Sequence, residues 1–122
     1  MGYKILVVDD ETTIRDLVAF RLEFHGHLVL TAENGTKGLE KLRAEKPDLV
    51  VLDVMMPDLT GLEVLKTMKA DPELASIKVI MLTAKGRKQD EDEGLAAGAD
   101  AYMAKPFRAT ILLQKIEGLM NA

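Results

Sequence analysis

The sequence predicts a doubly wound α/β domain, one parallel sheet of five strands covered by helices on both faces. Two observations predict it. Three short runs are solidly apolar, namely Ile5-Leu6-Val7-Val8, Leu49-Val50-Val51-Leu52 and Val79-Ile80-Met81-Leu82, which is the pattern of strands buried on both faces. Segments of helical period lie between them, so strand and helix alternate five times, as right-handed βαβ units do.

Taken in order, the firm strands are residues 4–8, 49–52 and 78–82, with weaker ones at His27–Thr31 and Asp100–Ala104. The first helix is marked by Ile14, Leu17, Val18 and Leu22, with Phe20 and Phe24 widening the apolar stripe. Leu39 and Leu42 mark the second helix. Leu62, Leu65 and Met68 mark the third, which Thr60-Gly61-Leu62-Glu63 opens as a capping box and Asp71-Pro72 closes. A fourth helix is expected over 88–97, acidic and thin in apolar residues, with Gln89–Glu93 as a solvated face. The fifth follows Pro106 and places Leu112, Ile116, Leu119 and Met120 on one face. The seven Met are expected in the core, and His25 and His27 in a solvent-facing turn.

Composition narrows the function. The 122 residues fit one domain, taken as 1–122, and 48% hydrophobic content is enough for a core. With 16 Lys+Arg against 20 Asp+Glu the net charge is −4, so the basic footprint of a nucleic-acid-binding domain is missing. No cysteine is present, which removes disulfides, thiolate zinc sites and thiol nucleophiles. No apolar run approaches the ~18 residues of a membrane span. No signal peptide is expected from the first residues, and Gly2 with Leu at position 6 does not fit a myristoylation signal. A cytoplasmic protein without membrane or direct nucleic-acid binding is expected. Neither a GxGxxG nor a Walker A pattern occurs.

In such a sheet a ligand site lies beyond the carboxyl ends of the strands. Asp9, Asp10 and Glu11 follow the first strand, Asp53 the third, Thr83-Ala84-Lys85 the fourth, and Lys105-Pro106-Phe107 the fifth. One rim thus gathers carboxylates, a hydroxyl and an ammonium. A lone acid at a strand end is more often a helix cap, and Asp10 taken singly reads that way. Several on one rim repel one another unless a cation is present. All-oxygen donors without His or Cys point to Mg²⁺ or a similar hard ion, which often shares its shell with a phosphate. Lys105 supplies a point charge for a phosphoryl group, Thr83 a donor, and one carboxylate a nucleophile able to form an aspartyl-phosphate.

With these residues in this order, the chain resembles the receiver domain of two-component response regulators, the chemotaxis-regulator-like family. The resemblance covers essentially the whole chain. It rests on Asp9-Asp10 after the first strand, Leu52-Asp53 with Met56-Pro57 and Gly61, Thr83-Ala84, and Lys105-Pro106-Phe107 preceded by Gly98-Ala99-Asp100-Ala101-Tyr102. It implies a flavodoxin-like sheet in the order 2-1-3-4-5. It implies Asp53 as phosphoacceptor, with Lys105 and Thr83 assisting. Asp9, Asp10, Asp53 and the Met55 carbonyl would hold Mg²⁺, the Lys105-Pro106 peptide would be cis, and Thr83 and Tyr102 would form a switch pair. Met55 and Lys85 would tune dephosphorylation. The implied protein is a signalling switch rather than an enzyme, reshaping its helix 4–strand 5–helix 5 face. Its implied partner is a sensor histidine kinase or phosphotransfer protein, docking near helix one and Pro106-Phe107. A monomer or a weak, phosphorylation-dependent dimer through the helix-four face is expected.

Three other readings compete. A haloacid-dehalogenase-type phosphatase also uses an aspartyl-phosphate, but it wants an acid two residues after the nucleophile, where Met55 stands. An FMN-binding flavodoxin-like domain wants a Ser/Thr/Gly phosphate loop after the first strand, where Asp9-Asp10-Glu11 would repel phosphate. A receiver that only binds partners is disfavoured by a complete set of chemical residues.

Overall fold

The computed structural model describes residues 2–84 and 88–121. The elements run β1 (Lys4–Val8), α1 (Thr12–Phe24), β2 (Leu28–Ala32), α2 (Gly35–Glu45), β3 (Leu49–Asp53), α3 (Gly61–Ala70), β4 (Lys78–Ala84), α4 (Lys88–Ala96), β5 (Ala101–Lys105) and α5 (Ala109–Met120). The five strands form one parallel sheet in the order β2-β1-β3-β4-β5. The expected fold class and order are what the structure has. β1 has the expected bounds and the other four strands end one or two residues later than expected, so Asp53 ends β3, Thr83 lies within β4 and Lys105 ends β5.

Period-2 alternation distributes each apolar run between two layers. Leu6, Val8, Val50, Leu52, Val79 and Met81 pack with Leu39, Leu42, Val64, Leu65 and Met68 of α2 and α3. Ile5, Val7, Leu49, Val51, Ile80 and Leu82 pack with Val18 and Leu22 of α1 and Leu112, Leu113 and Ile116 of α5. The continuous hydrophobicity of the strands follows, because neither face meets water.

Helix starts obey local chemistry. The Asn34 side chain accepts from the Lys37 N–H at the start of α2. The expected capping box opens α3, with Glu63 N–H donating to Thr60 Oγ1 at 3.1 Å and Thr60 N–H donating to Glu63 Oε1 at 2.9 Å. Gly61 cannot carry a side chain, since a Cβ there would run into the Asp53 carbonyl and the Val54 backbone. That close approach explains its place after Met56-Pro57.

Asp58, in the β3–α3 loop, reaches across to α2. Its carboxylate accepts from Gly35 N–H at 3.0 Å and Thr36 N–H at 2.9 Å. These are otherwise unpaired donors of a helix N-terminus. The Thr36 hydroxyl, and then the backbone donors, hold the Asp58 carboxyl far below the usual carboxylate range.

Three expectations are corrected. Phe20 and Phe24 do not extend the buried stripe of α1. They are 64% and 76% exposed, and Leu17 is 59% exposed, whereas Leu22 is 1% exposed. The sheet covers a narrow stripe centred on Val18 and Leu22, and residues two positions away turn outward. His25 is exposed as expected, but His27 is half-buried. Its Nδ1 accepts the Tyr3 N–H at 3.1 Å and its ring stacks on Tyr3 at 5.8 Å. Burial, then the neighbouring His25, holds its pKa below the ordinary histidine value. Met56, Met68, Met81 and Met103 are buried as core residues, but Met55 is 54% exposed.

Two measurements check this account. Leu22→Ala is expected to lose about 2–5 kcal/mol of unfolding free energy in urea, by cavity formation, whereas Phe24→Ser should change it by less than about 0.5 kcal/mol, as exposed sites do. Asp58→Asn should lower Tm at neutral pH. The folded pKa of Asp58 is depressed, so its contribution is present above the unfolded value of about 3.9 and is lost as pH falls through the folded value. The Tm gap between the two proteins should therefore shrink in scans taken below about pH 4.

Candidate functional site

The strand order reverses direction between β1 and β3, and the crevice at their carboxyl ends is where such a sheet binds its ligand. Asp9 stands just after β1 and is fully buried, and Asp53 ends β3 and is 4% exposed. Asp10 faces solvent at the crevice mouth. One carboxylate oxygen from each of Asp9, Asp10 and Asp53 lies within 4.8 Å of the others.

Lys105, at the end of β5, reaches over this cluster. Its Nζ lies 3.0 Å from Asp9 Oδ2, 3.2 Å from Asp53 Oδ2 and 3.3 Å from Glu11 Oε1. The Lys105-Pro106 peptide is cis, as the resemblance implied. A cleft of about 520 Å³ opens above, lined by Asp10, Glu11, Asp53, Met55 and Lys105 among others.

The electrostatics follow from burial. Desolvation, then the charge of Asp9, pushes the Asp53 carboxyl upward, while the ammonium of Lys105 and the Met55 N–H pull it back. Burial alone would lower the Lys105 pKa, but the hydrogen bonds and charges of Asp9 and Asp53 outweigh it and push it above the ordinary lysine value. Buried carboxylates facing a single ammonium are under-compensated.

Backbone contacts fix the acids. Asp9 Oδ1 accepts the Glu11 N–H at 2.9 Å, and Arg15 Nη1 donates to the Asp9 carbonyl at 2.8 Å. Asp53 Oδ1 accepts the Met55 N–H at 3.3 Å. The helix-cap reading of Asp10 fails, because Glu11 takes the cap position of α1 without a side-chain cap bond. Asp9 Oδ2 is buried and, among the described residues, accepts no well-directed hydrogen bond although it meets Lys105. A buried hard oxygen that shares one ammonium with two further carboxylates suits a small divalent cation.

The expected switch pair stands on β4 and β5. Thr83 is 2% exposed, and its Oγ1 donates to Asp90 Oδ2 of α4 at 3.3 Å. Tyr102 is half-buried against the layer of α2 and α3. Its hydroxyl is bonded to Glu91, which raises the phenol pKa above the ordinary value. Lys85 lies outside the described residues. Sequence reasoning missed the roles of Glu11, Asp58 and Asp90. For Glu11 a signal existed, its adjacency to Asp9-Asp10. Asp58 and Asp90 act on distant elements, so nothing local pointed to them.

Known proteins agree with this geometry. Residues 5–117 match the family model described as response regulator receiver domain. The chain is 43% identical over 121 residues to the alkaline phosphatase synthesis transcriptional regulatory protein PhoP of Bacillus subtilis, covering 99% of this chain and 50% of that protein. It is 39% identical to the phosphate regulon transcriptional regulatory protein PhoB of Pseudomonas aeruginosa, covering 99% and 53%. The chain thus spans about half the length of these relatives. Among solved structures, the receiver domain protein (CheY-like) of Methanospirillum hungatei superposes with a TM-score of 0.90 at 36% identity, covering 99% of this chain and 95% of that one. Chemotaxis response regulator CheY4 of Vibrio cholerae gives 0.91 at 32% identity, covering 98% and 99%. The buried acid cluster at the switch point, the lysine poised over it and these matches across nearly the whole chain lead to one conclusion: the chain belongs to the response regulator receiver domain family, the signalling phosphoacceptors of two-component systems.

Proposed function

We propose that Asp53 is the acceptor and that Asp9, Asp10, Asp53 and the Met55 carbonyl hold Mg²⁺. The observation that carries this reading is the convergence of Asp9, Asp10 and Asp53 under the Lys105 ammonium at the sheet's switch point. When bound, Mg²⁺ would neutralise phosphoryl oxygens as the charge on them redistributes.

The chain's own residues do the rest. An Asp53 oxygen attacks the phosphorus of a donor phosphohistidine in line, the P–N bond breaks, and its electron pair leaves on the imidazole. The new bond is a carboxyl-phosphate mixed anhydride. Lys105 holds Asp53 before transfer and then pairs with the phosphoryl oxygens, so its charge stays near the reacting atoms throughout. Water later hydrolyses the anhydride, with exposed Met55 at the cleft wall as a tuning residue. Thr83 turns its hydroxyl to the added charge of about −1.5 to −2. Tyr102 and the α4–β5–α5 face then rearrange.

A receiver of this family implies a cognate histidine kinase. We place its docking on α1 and the Pro106-Phe107 loop. There Ile14, Leu17, Val18, Pro106 and Phe107 line an apolar cleft of about 220 Å³ beside Lys105. The relatives named as transcriptional regulatory proteins support control of transcription as the output of a longer regulator, with residues 1–122 as its receiver. A cytoplasmic setting suits that role. No helix among the described residues is long and apolar enough to cross a membrane.

Acetyl phosphate with Mg²⁺ should label the protein, as read by intact mass, and Asp53→Asn should abolish the label. Full labelling of that variant would remove Asp53 from the role. Treatment with EDTA should suppress labelling of the unaltered protein by at least about 100-fold, in line with the loss of a charge-stabilising group, and added Mg²⁺ should restore it.

A further inference from the structure

The threonine of the expected switch pair is already engaged, and its partner comes from the first turn of α4. Asp90 and Glu91 are consecutive, and they are the acids of that turn. Thr83 Oγ1 donates to Asp90 Oδ2 at 3.3 Å. The Thr83 side chain is buried, so its hydroxyl interacts with protein groups rather than bulk water.

A threonine hydroxyl has one proton to donate. It cannot serve the Asp90 carboxylate and a phosphoryl oxygen on Asp53 at the same time. A carboxylate and a phosphoryl oxygen are both strong acceptors, so the hydroxyl goes to one at the expense of the other. Breaking this bond is therefore part of every switching event.

Building on the reading of Thr83 as the hydroxyl that meets the phosphoryl group, we propose that Asp90 is a positioning residue: it competes for the Thr83 proton and thereby sets how tightly the pocket holds a phosphoryl group.

The test is beryllofluoride binding in the presence of Mg²⁺, followed by calorimetry, on the full chain carrying Asp90→Ala, Thr83→Ala or both. Asp90→Ala should tighten binding by about threefold to tenfold, the size of one charged hydrogen bond withdrawn from the resting state. Asp90→Asn keeps a neutral acceptor and should fall between it and the unaltered protein. Thr83→Ala should weaken binding, and adding Asp90→Ala to it should change nothing further, because the competition acts through that hydroxyl. In metal-free protein the Thr83 methyl resonance should move in Asp90→Ala, reporting a changed rotamer population. Unchanged or weaker beryllofluoride binding in Asp90→Ala, beside a weakened Thr83→Ala, overturns the proposal and leaves the Thr83 reading standing. Equal tightening by Asp90→Ala with and without Thr83 also overturns it. Unaltered binding in Thr83→Ala overturns the Thr83 reading and the proposal with it.

Discussion

The structure turns on one ammonium group between buried carboxylates. Asp9 is fully buried and Asp53 nearly so, and charges removed from water are tolerated only when paired. Lys105 supplies the pairing from the carboxyl end of the edge strand β5, 3.0 Å from one acid and 3.2 Å from the other. Three strands must therefore end in register for the site to exist: β1 for Asp9, β3 for Asp53 and β5 for Lys105. The pairing is also incomplete. A single positive charge serves Asp9, Asp53 and Glu11, and Asp9 keeps an oxygen without a well-directed donor. The residual negative field is what makes the rim receptive to a divalent cation, and through it to an anion.

The rest of the fold supports that rim. The β3–α3 loop is fastened at both ends: Asp58 holds it to α2, and the backbone of Asp53 and Val54 approaches Gly61 so closely that only glycine fits. Met55, between these points, donates its N–H to Asp53. Preorganisation of this kind places donors before the reaction begins, so little rearrangement is left for the transfer itself. On the side facing α4, the Thr83 hydroxyl donates to Asp90. Gly94 is the buried residue of α4, which leaves that helix with a weak hydrophobic anchor and makes polar ties decisive for its position.

What could be read from the sequence was whatever repeats locally or stands at a strand end. Continuous apolar runs gave the doubly covered sheet, because no polar residue interrupts them on either face. Thr60 and Glu63 announced the start of α3, because both halves of the box lie within one turn. Asp9, Asp53, Thr83 and Lys105 could be gathered onto one rim because topology alone places strand ends together. Helix faces were harder. Phe20 and Phe24 are as apolar as Leu22, and composition cannot tell which side of α1 the sheet covers. Long-range polar contacts were invisible: Asp58 grips a helix that begins 23 residues earlier. His27 looked like a turn residue, and only its stacking on Tyr3 explains its burial.

The division of the core into two layers has its own consequence. Tyr102 packs in the layer of α2 and α3, whereas Ile14 and Phe107 belong to the layer of α1 and α5, and the two buried sets share no residue. The sheet acts as a partition. On the reading proposed above, a protein seated on α1 and the Pro106-Phe107 loop shares its layer with α5 and leaves Tyr102, on the other face, uncovered.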